Sequence, residues 1–245
     1  MSYVTNTDID AWLGTQTVVE LTDDDGNGVP DECDPPVIIH ASGLPGETRP
    51  FSGYVDPLRE SDNGGDVNQG LDRVALVFSQ PVFAPGGGPL MPVDFAVSET
   101  GDVEAPTATA VDATGNPLIE ITLSRIITPK EWTTVQAVVE NEFGVPIVDL
   151  GDLGSGADEP DRVDIAFLPA DVDQDGIVTP SDLLRFRQFI NDAFDPPAGT
   201  DEDFVDTNRN ESITPFDLLS FRQLIIGISP ATQSWNGESL NNARP

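Results

Sequence analysis

Between residues 37 and about 168 the chain is built from short apolar runs separated by turn signals. The runs are VIIHA, RVALVFSQPV, DFAVSET, TATAV, LIEITLS, WTTVQAVVE and VDIAFL. Several alternate with a period of two. In LIEITLS, Ile119, Ile121 and Leu123 face one way, and Leu118, Glu120 and Thr122 face the other. In RVALVF, Val74, Leu76 and Phe78 alternate with Ala75 and Val77. About seven such strands, with Gly, Pro and Asn between them, predict an antiparallel β-sandwich. The stretches APGGGP and GDLGSGADEP read as loops.

After about residue 169 the period changes. DVDQDGIVTPSDLLRFRQFI begins at Asp171, and DTNRNESITPFDLLSFRQLI begins at Asp206. Each sets oxygen-bearing residues at alternate positions and then runs into a helical period. Thr179 and Thr214 are N-cap candidates, each followed by a Pro suited to the first helical position. Asp182 and Asp217 fall in the first turn, near the positive end of the helix dipole. Leu183, Phe186 and Ile190 share one face, matched by Leu218, Phe221 and Ile225 in the second copy, which Gly227 terminates. About half of the aligned positions are identical. Such a duplication predicts two equivalent units packed together.

The loops suit a hard cation. Calcium takes about six to eight oxygens, and a twelve-residue loop supplies them from positions 1, 3, 5, 7, 9 and 12, with a sharp turn at 6. In the first loop those ligand slots hold Asp171, Asp173, Asp175, the Ile177 carbonyl, Thr179 and Asp182, with Gly176 at the turn. In the second they hold Asp206, Asn208, Asn210, the Ser212 carbonyl, Thr214 and Asp217. Glu211 replaces the turn glycine there, and two carboxylates stand where the first loop has four, so weaker calcium binding is expected. A third loop, DDDGNGVPDECD, offers Asp23, Asp25, Asn27, the Val29 carbonyl, Asp31 and Asp34.

Charge narrows the partners. The chain has 245 residues, with 43 acidic against 11 basic and a formal net charge of -32. Nucleic acid and anionic membrane surfaces need clustered Lys and Arg, so neither is a natural partner. No apolar stretch is long enough to span a bilayer, and the first residues lack the basic start and apolar core of a signal peptide. Cys33 and His40 are the only residues of their kinds, which excludes an intrachain disulfide and a zinc site built on Cys and His.

The paired loop-helix units resemble a type I dockerin, the calcium-dependent module that docks into a cohesin domain. The resemblance covers 170 to about 228 and rests on two loops ending in Asp, each followed by Leu, with a shared apolar face. It implies a cohesin-like partner contacted by Pro180, Ser181, Arg187 and Gln188, or by Pro215, Phe216, Arg222 and Gln223. The prolines, and Gln in place of a second basic residue, depart from the cellulosomal pattern. The N-terminal loop is similar to a thrombospondin type 3 calcium repeat, and the strand pattern is similar to bacterial Ig-like domains.

The expected organisation is an N-terminal acidic segment over 1–36, an Ig-like β-sandwich over 37–168, a dockerin over 169–230 and a disordered tail over 231–245. The expected protein is a secreted or cell-surface one, non-catalytic, using Ca2+ and docking a partner protein. Extracellular calcium is millimolar, enough to fill weak loops of this class. The alternative is an accessory or carbohydrate-binding part of a larger polysaccharide-degrading enzyme, with Trp132 and Tyr54 as candidate sugar platforms. Two carboxylates suffice for glycosidic cleavage, yet the sole His and Cys leave out most nucleophilic systems.

Overall fold

The computed structural model describes residues 33–42, 54–56, 72–101, 104–148, 160–173, 175–191, 214–228 and 234–245, with side chains omitted at 40–42 and 54–56. The chain divides into two compact units, Met1–Asp34 and Pro35–Pro245. Of the first unit only Cys33, which is exposed, and the half-buried Asp34 are described.

The second unit contains eight strands among the described residues: β1 (Ile38–Ser42), β2 (Tyr54–Asp56), β3 (Arg73–Phe78), β4 (Phe95–Glu99), β5 (Ala108–Gly115), β6 (Leu118–Leu123), β7 (Trp132–Ala137) and β8 (Arg162–Phe167). They form two four-stranded sheets, ordered β1-β3-β6-β5 and β2-β8-β7-β4. Each of the seven apolar runs supplies one strand. The eighth, β2, is three residues long and pairs parallel with β8, so the expectation of a wholly antiparallel arrangement is corrected there.

The period-two pattern decides which side chains meet. Val74 lies opposite Ile121 and Leu76 opposite Ile119, and all four are buried. With Phe78 and Leu123 they share one apolar core with Phe95, Val135, Val163, Ile165 and Phe167 of the other sheet. Burying side chains of this size contributes about 1.5–3 kcal/mol each.

β8 beyond Arg162 is buried on both faces, and β7 is buried on one face and at Trp132 on the other. Val135, Val163, Ile165 and Phe167 point into the shared core. Trp132 and Ala166, paired across the strands, point out of it and join a second core with Leu168, Ala170, Val172, Val178, Phe186, Phe221 and Trp235. Two helices build that second core: α1 (Pro180–Ile190) and α2 (Pro215–Ile226). Both start as their sequences predict. The Thr179 N–H donates to Asp182 Oδ2 (2.7 Å), and the Thr214 N–H donates to Asp217 Oδ2 (2.8 Å). Gly227 closes α2 in the left-handed region (φ 70°), and its N–H donates to the Gln223 carbonyl (2.8 Å).

One face departs from expectation. Phe186 is fully buried, but Ile190 is 38% exposed and Phe189 packs against the core instead. In α2 the equivalent Ile225 is buried together with Leu224. The two helices are therefore not equivalent at their C-terminal ends.

Residues 234–245 were expected to belong to a disordered tail. They instead lie across three elements. Trp235 is buried, and its N–H donates to the Leu224 carbonyl at the end of α2 (3.1 Å). Ser239 forms an antiparallel bridge with Ile177 of the first acidic loop. Asn241 and Asn242 donate to Glu131 at 2.6 and 2.8 Å, and Arg244 pairs with the buried Asp164 at 2.9 Å. The polar composition of this segment suits the role, because it binds mainly through backbone groups and amide side chains.

Candidate metal centre and docking face

Chain direction in the first loop is set by Gly176 (φ 79°), the left-handed residue that a turn at position 6 requires. The turn folds Asp171, Asp173 and Asp175 together, and one carboxylate oxygen from each lies within 4.8 Å of the others. Asp171 is fully buried and accepts the Gly176 N–H at 3.0 Å. Asp173 Oδ1 is buried and receives no hydrogen-bond donor among the described residues. Asp175 Oδ1 accepts the Ile177 N–H at 2.9 Å.

Asp182 is fully buried but stands outside this group of three. Its Oδ1 accepts the N–H groups of Val172 (2.8 Å) and Asp173 (3.3 Å), and its Oδ2 accepts that of Thr179. The residue at position 12 thereby ties the start of the loop to the start of α1. Thr179, expected at position 9, places its hydroxyl 2.7 Å from Ser181 Oγ and accepts the Ser181 N–H.

Burial, with neighbouring charge, raises the pKa of two of these carboxyls, Asp171 and Asp182. Burial pushes Asp171 up to about 7, helped by the charge of Asp182 and opposed by the Gly176 N–H. Burial pushes Asp182 up to about 6, opposed by the Thr179 N–H and reinforced by the charge of Asp173. Like charges held this close favour a proton or a cation among them. The donor set is all oxygen, and the buried Asp173 Oδ1 has no donor among the described residues, which fits a hard divalent ion.

Of the second loop, Thr214 and Asp217 are described. Thr214 Oγ1 donates to Asp217 Oδ2 at 2.9 Å, and Asp217 is fully buried, as Asp182 is. Asp206, Asn208, Asn210 and Ser212 lie outside the described residues, as do Asp23, Asp25, Asn27, Val29 and Asp31 of the N-terminal loop.

The expected contact residues lie on the surface. Pro180, Ser181 and Arg187 of α1, and Pro215 and Arg222 of α2, are exposed, and Phe216 is 72% exposed. Gln188 and Gln223 are half-buried. Sequence reasoning missed Leu184 and Leu219, equivalent residues that are 54% and 51% exposed. The signal was present in the doubled Leu-Leu of both repeats. Successive helical residues are separated by about 100°, so a narrow core-facing stripe cannot bury both. Trp132, a candidate sugar platform, is 6% exposed and donates its indole N–H to the Asn242 carbonyl (3.2 Å), so it is not available as one. The Tyr54 side chain lies outside the described set.

A capped loop-helix pair with a carboxylate cluster in its first loop defines a small calcium-binding module. Residues 169–225 match the family model of the dockerin type I domain. Dockerin domains bind Ca2+, and their presence implies a cohesin partner. No curated protein matches the chain. Among solved structures, the chain is similar to the N-terminal part of the bacterial S-layer protein SbsC, at 12% identity and a TM-score of 0.33. That similarity covers 54% of this chain and 23% of the other. It is also similar to the S-layer protein rSbsC(31-844), at 13% identity and a TM-score of 0.29, covering 39% of this chain and 12% of that one. No helix among the described residues is long and apolar enough to cross a membrane.

Proposed function

We propose that this chain is a non-catalytic, calcium-dependent docking protein of the extracellular space or cell surface, whose dockerin module attaches an Ig-like β-sandwich to a cohesin-type partner. The observation that carries this reading is the duplicated module itself. Residues 169–225 match the dockerin type I family, and both helices expose equivalent N-terminal corners. The sandwich reading is supported by two four-stranded sheets sharing one core.

The proposed ligands of the first loop are Asp171, Asp173, Asp175, the Ile177 carbonyl, Thr179 and Asp182. Those of the second are Asp206, Asn208, Asn210, the Ser212 carbonyl, Thr214 and Asp217. A bound calcium ion supplies positive charge that offsets the clustered carboxylates. Asp182 and Asp217 hold the loop ends against the helix starts and fix the corners that the partner meets. Phe216 supplies an apolar anchor, and Arg187 and Arg222 supply charge-assisted contacts. The two faces differ at Ser181 and Phe216, so the α2 face binds the more apolar site.

The N-terminal loop is a further calcium site of thrombospondin type 3 character in this reading. Attachment of the module to polysaccharide-degrading machinery remains the alternative, and burial of Trp132 weakens the carbohydrate-binding form of it.

The test is calorimetry of the full chain against a panel of type I cohesins, in calcium and in chelator. Binding that chelator abolishes supports the reading. Calcium uptake without binding to any cohesin leaves a calcium-binding protein and removes the docking function.

A further inference from the structure

We propose that the C-terminal segment 234–245 is a calcium-coupled latch. Its seating and ion binding at the first loop stabilise each other, and together they lock the helical module onto the β7–β8 sheet. The inference rests on the calcium reading of the first loop and goes beyond docking, because it concerns how the module is held to the rest of its own chain.

The argument begins at the Ile177–Ser239 bridge. Its flanking hydrogen bonds run from Val178 N–H to the Glu238 carbonyl (2.8 Å) and from Leu240 N–H to the Gly176 carbonyl (3.0 Å). Ile177 and Ser239 are thus a non-hydrogen-bonded pair, neither donating to nor accepting from the other. In antiparallel pairing such a residue turns both of its backbone groups to the opposite edge. Its N–H duly donates to Asp175 Oδ1 of the loop, and the same geometry turns its carbonyl to that edge. The segment therefore occupies the outer edge of the loop and holds the inner edge toward the carboxylates.

The same few residues grip the sheet. The Asn241 N–H donates to the Lys130 carbonyl (2.9 Å), and the amides of Asn241 and Asn242 bind the two oxygens of buried Glu131. Beyond them Arg244 reaches Asp164. Only Leu240 separates the loop-bridging residue Ser239 from Asn241. A loop that opens takes the Ser239–Leu240 backbone with it and pulls on Asn241. A loop held in place presents the edge on which this backbone pairs. Two binding events that favour one shared arrangement are coupled reciprocally.

Hydrogen–deuterium exchange of the full chain reads the latch directly. The amides of 237–242, Leu240 and Asn241 above all, are expected to exchange about tenfold or more slowly in calcium than in chelator. The reciprocal arm is the double variant Asn241→Ala/Asn242→Ala, made in an Asp23→Ala/Asp206→Ala background, which removes a ligand from each of the other two loops, so that calorimetry reads the first loop. It is expected to lower calcium affinity about fivefold or more, in keeping with ordinary coupling between sites. Calcium binding with unchanged exchange in the segment, or wild-type affinity in the double variant, overturns the latch and leaves the docking reading standing. Absence of calcium binding at the first loop overturns both.

Discussion

The rings of Phe186 and Phe221 lie with their centroids 4.8 Å apart and their planes tilted by 32°. These residues occupy the same position in the two repeats, and both are fully buried. Each copy of the repeat thus supplies the wall against which the other packs. Phe221→Ala is expected to cost about 3–5 kcal/mol, the range for truncating a buried aromatic. Chemical denaturation of the full chain measures it. A loss below about 1 kcal/mol contradicts the mutual packing of the repeats.

The first loop depends on carboxylates that repel one another. Asp173→Ala removes the buried oxygen to which no described residue donates and is expected to lower calcium affinity of this loop by at least tenfold, with little change in stability in chelator. Calorimetry on the Asp23→Ala/Asp206→Ala background reads it, and unchanged affinity removes Asp173 from the ligand set.

The pH dependence has a definite sign. The carboxyls of Asp171 and Asp182 titrate in the folded protein at about 7 and about 6, above the ordinary carboxylate value of 3.8. The folded state therefore holds protons that the unfolded state has released. Their contribution to stability is full below about pH 4 and is lost as pH rises toward 7. In chelator, the midpoint of thermal unfolding should fall over that window from these two groups. Asp171→Asn should flatten the fall. Calcium should reduce it, because the ion favours the ionised form, and binding near pH 6 should release protons, measurable by calorimetry in buffers of different ionisation enthalpy.

Gly176 stands at φ 79°, and a Cβ there would meet Leu240 Cδ1 at 3.5 Å, an ordinary contact. The cost of Gly176→Ala is therefore conformational rather than steric and is expected to be about 1 kcal/mol. Thermal unfolding in calcium tests this. A loss of several kcal/mol would show that the loop tolerates no side chain at this turn.

On the docking face, Phe216→Ala is expected to weaken partner binding by about 2 kcal/mol while leaving stability unchanged, since the side chain is 72% exposed. Ser181→Ala, at the equivalent corner of α1, should have a smaller effect. Equal losses at the two corners would mean that both helices meet the partner with similar weight.

How much of this was written in the chain depends on the distance over which each feature acts. The strands and helix starts were legible because their signals are local. Alternation sorted Ile119, Ile121 and Leu123 to one face, and Thr-Pro followed by Asp marked both helix starts. The carboxylate cluster was legible because spacing within one loop carries it. The fate of residues 234–245 was not legible. Their bonds to Glu131 and Asp164 cross 80 to 111 positions of sequence, and a polar segment carries no period that announces a partner. The reversal of Phe189 and Ile190 was hidden for a related reason. Both are apolar, and only the shape of the neighbouring surface chose between them.

The second core has a bearing on how such a module is inherited and transplanted. The stretch that matches the dockerin type I family ends at residue 225 and begins at 169. The core around Phe186 and Phe221 also takes in Trp132 and Leu168 from before that stretch and Trp235 from after it. A graft cut at the family boundaries would carry the loops and both helices to a new host but leave these three side chains behind. Recombination that keeps β7 and β8 with the module, through to the C-terminal segment, carries the second core whole, and only a cut that also keeps the other strands preserves the sandwich core on the far face of β7 and β8.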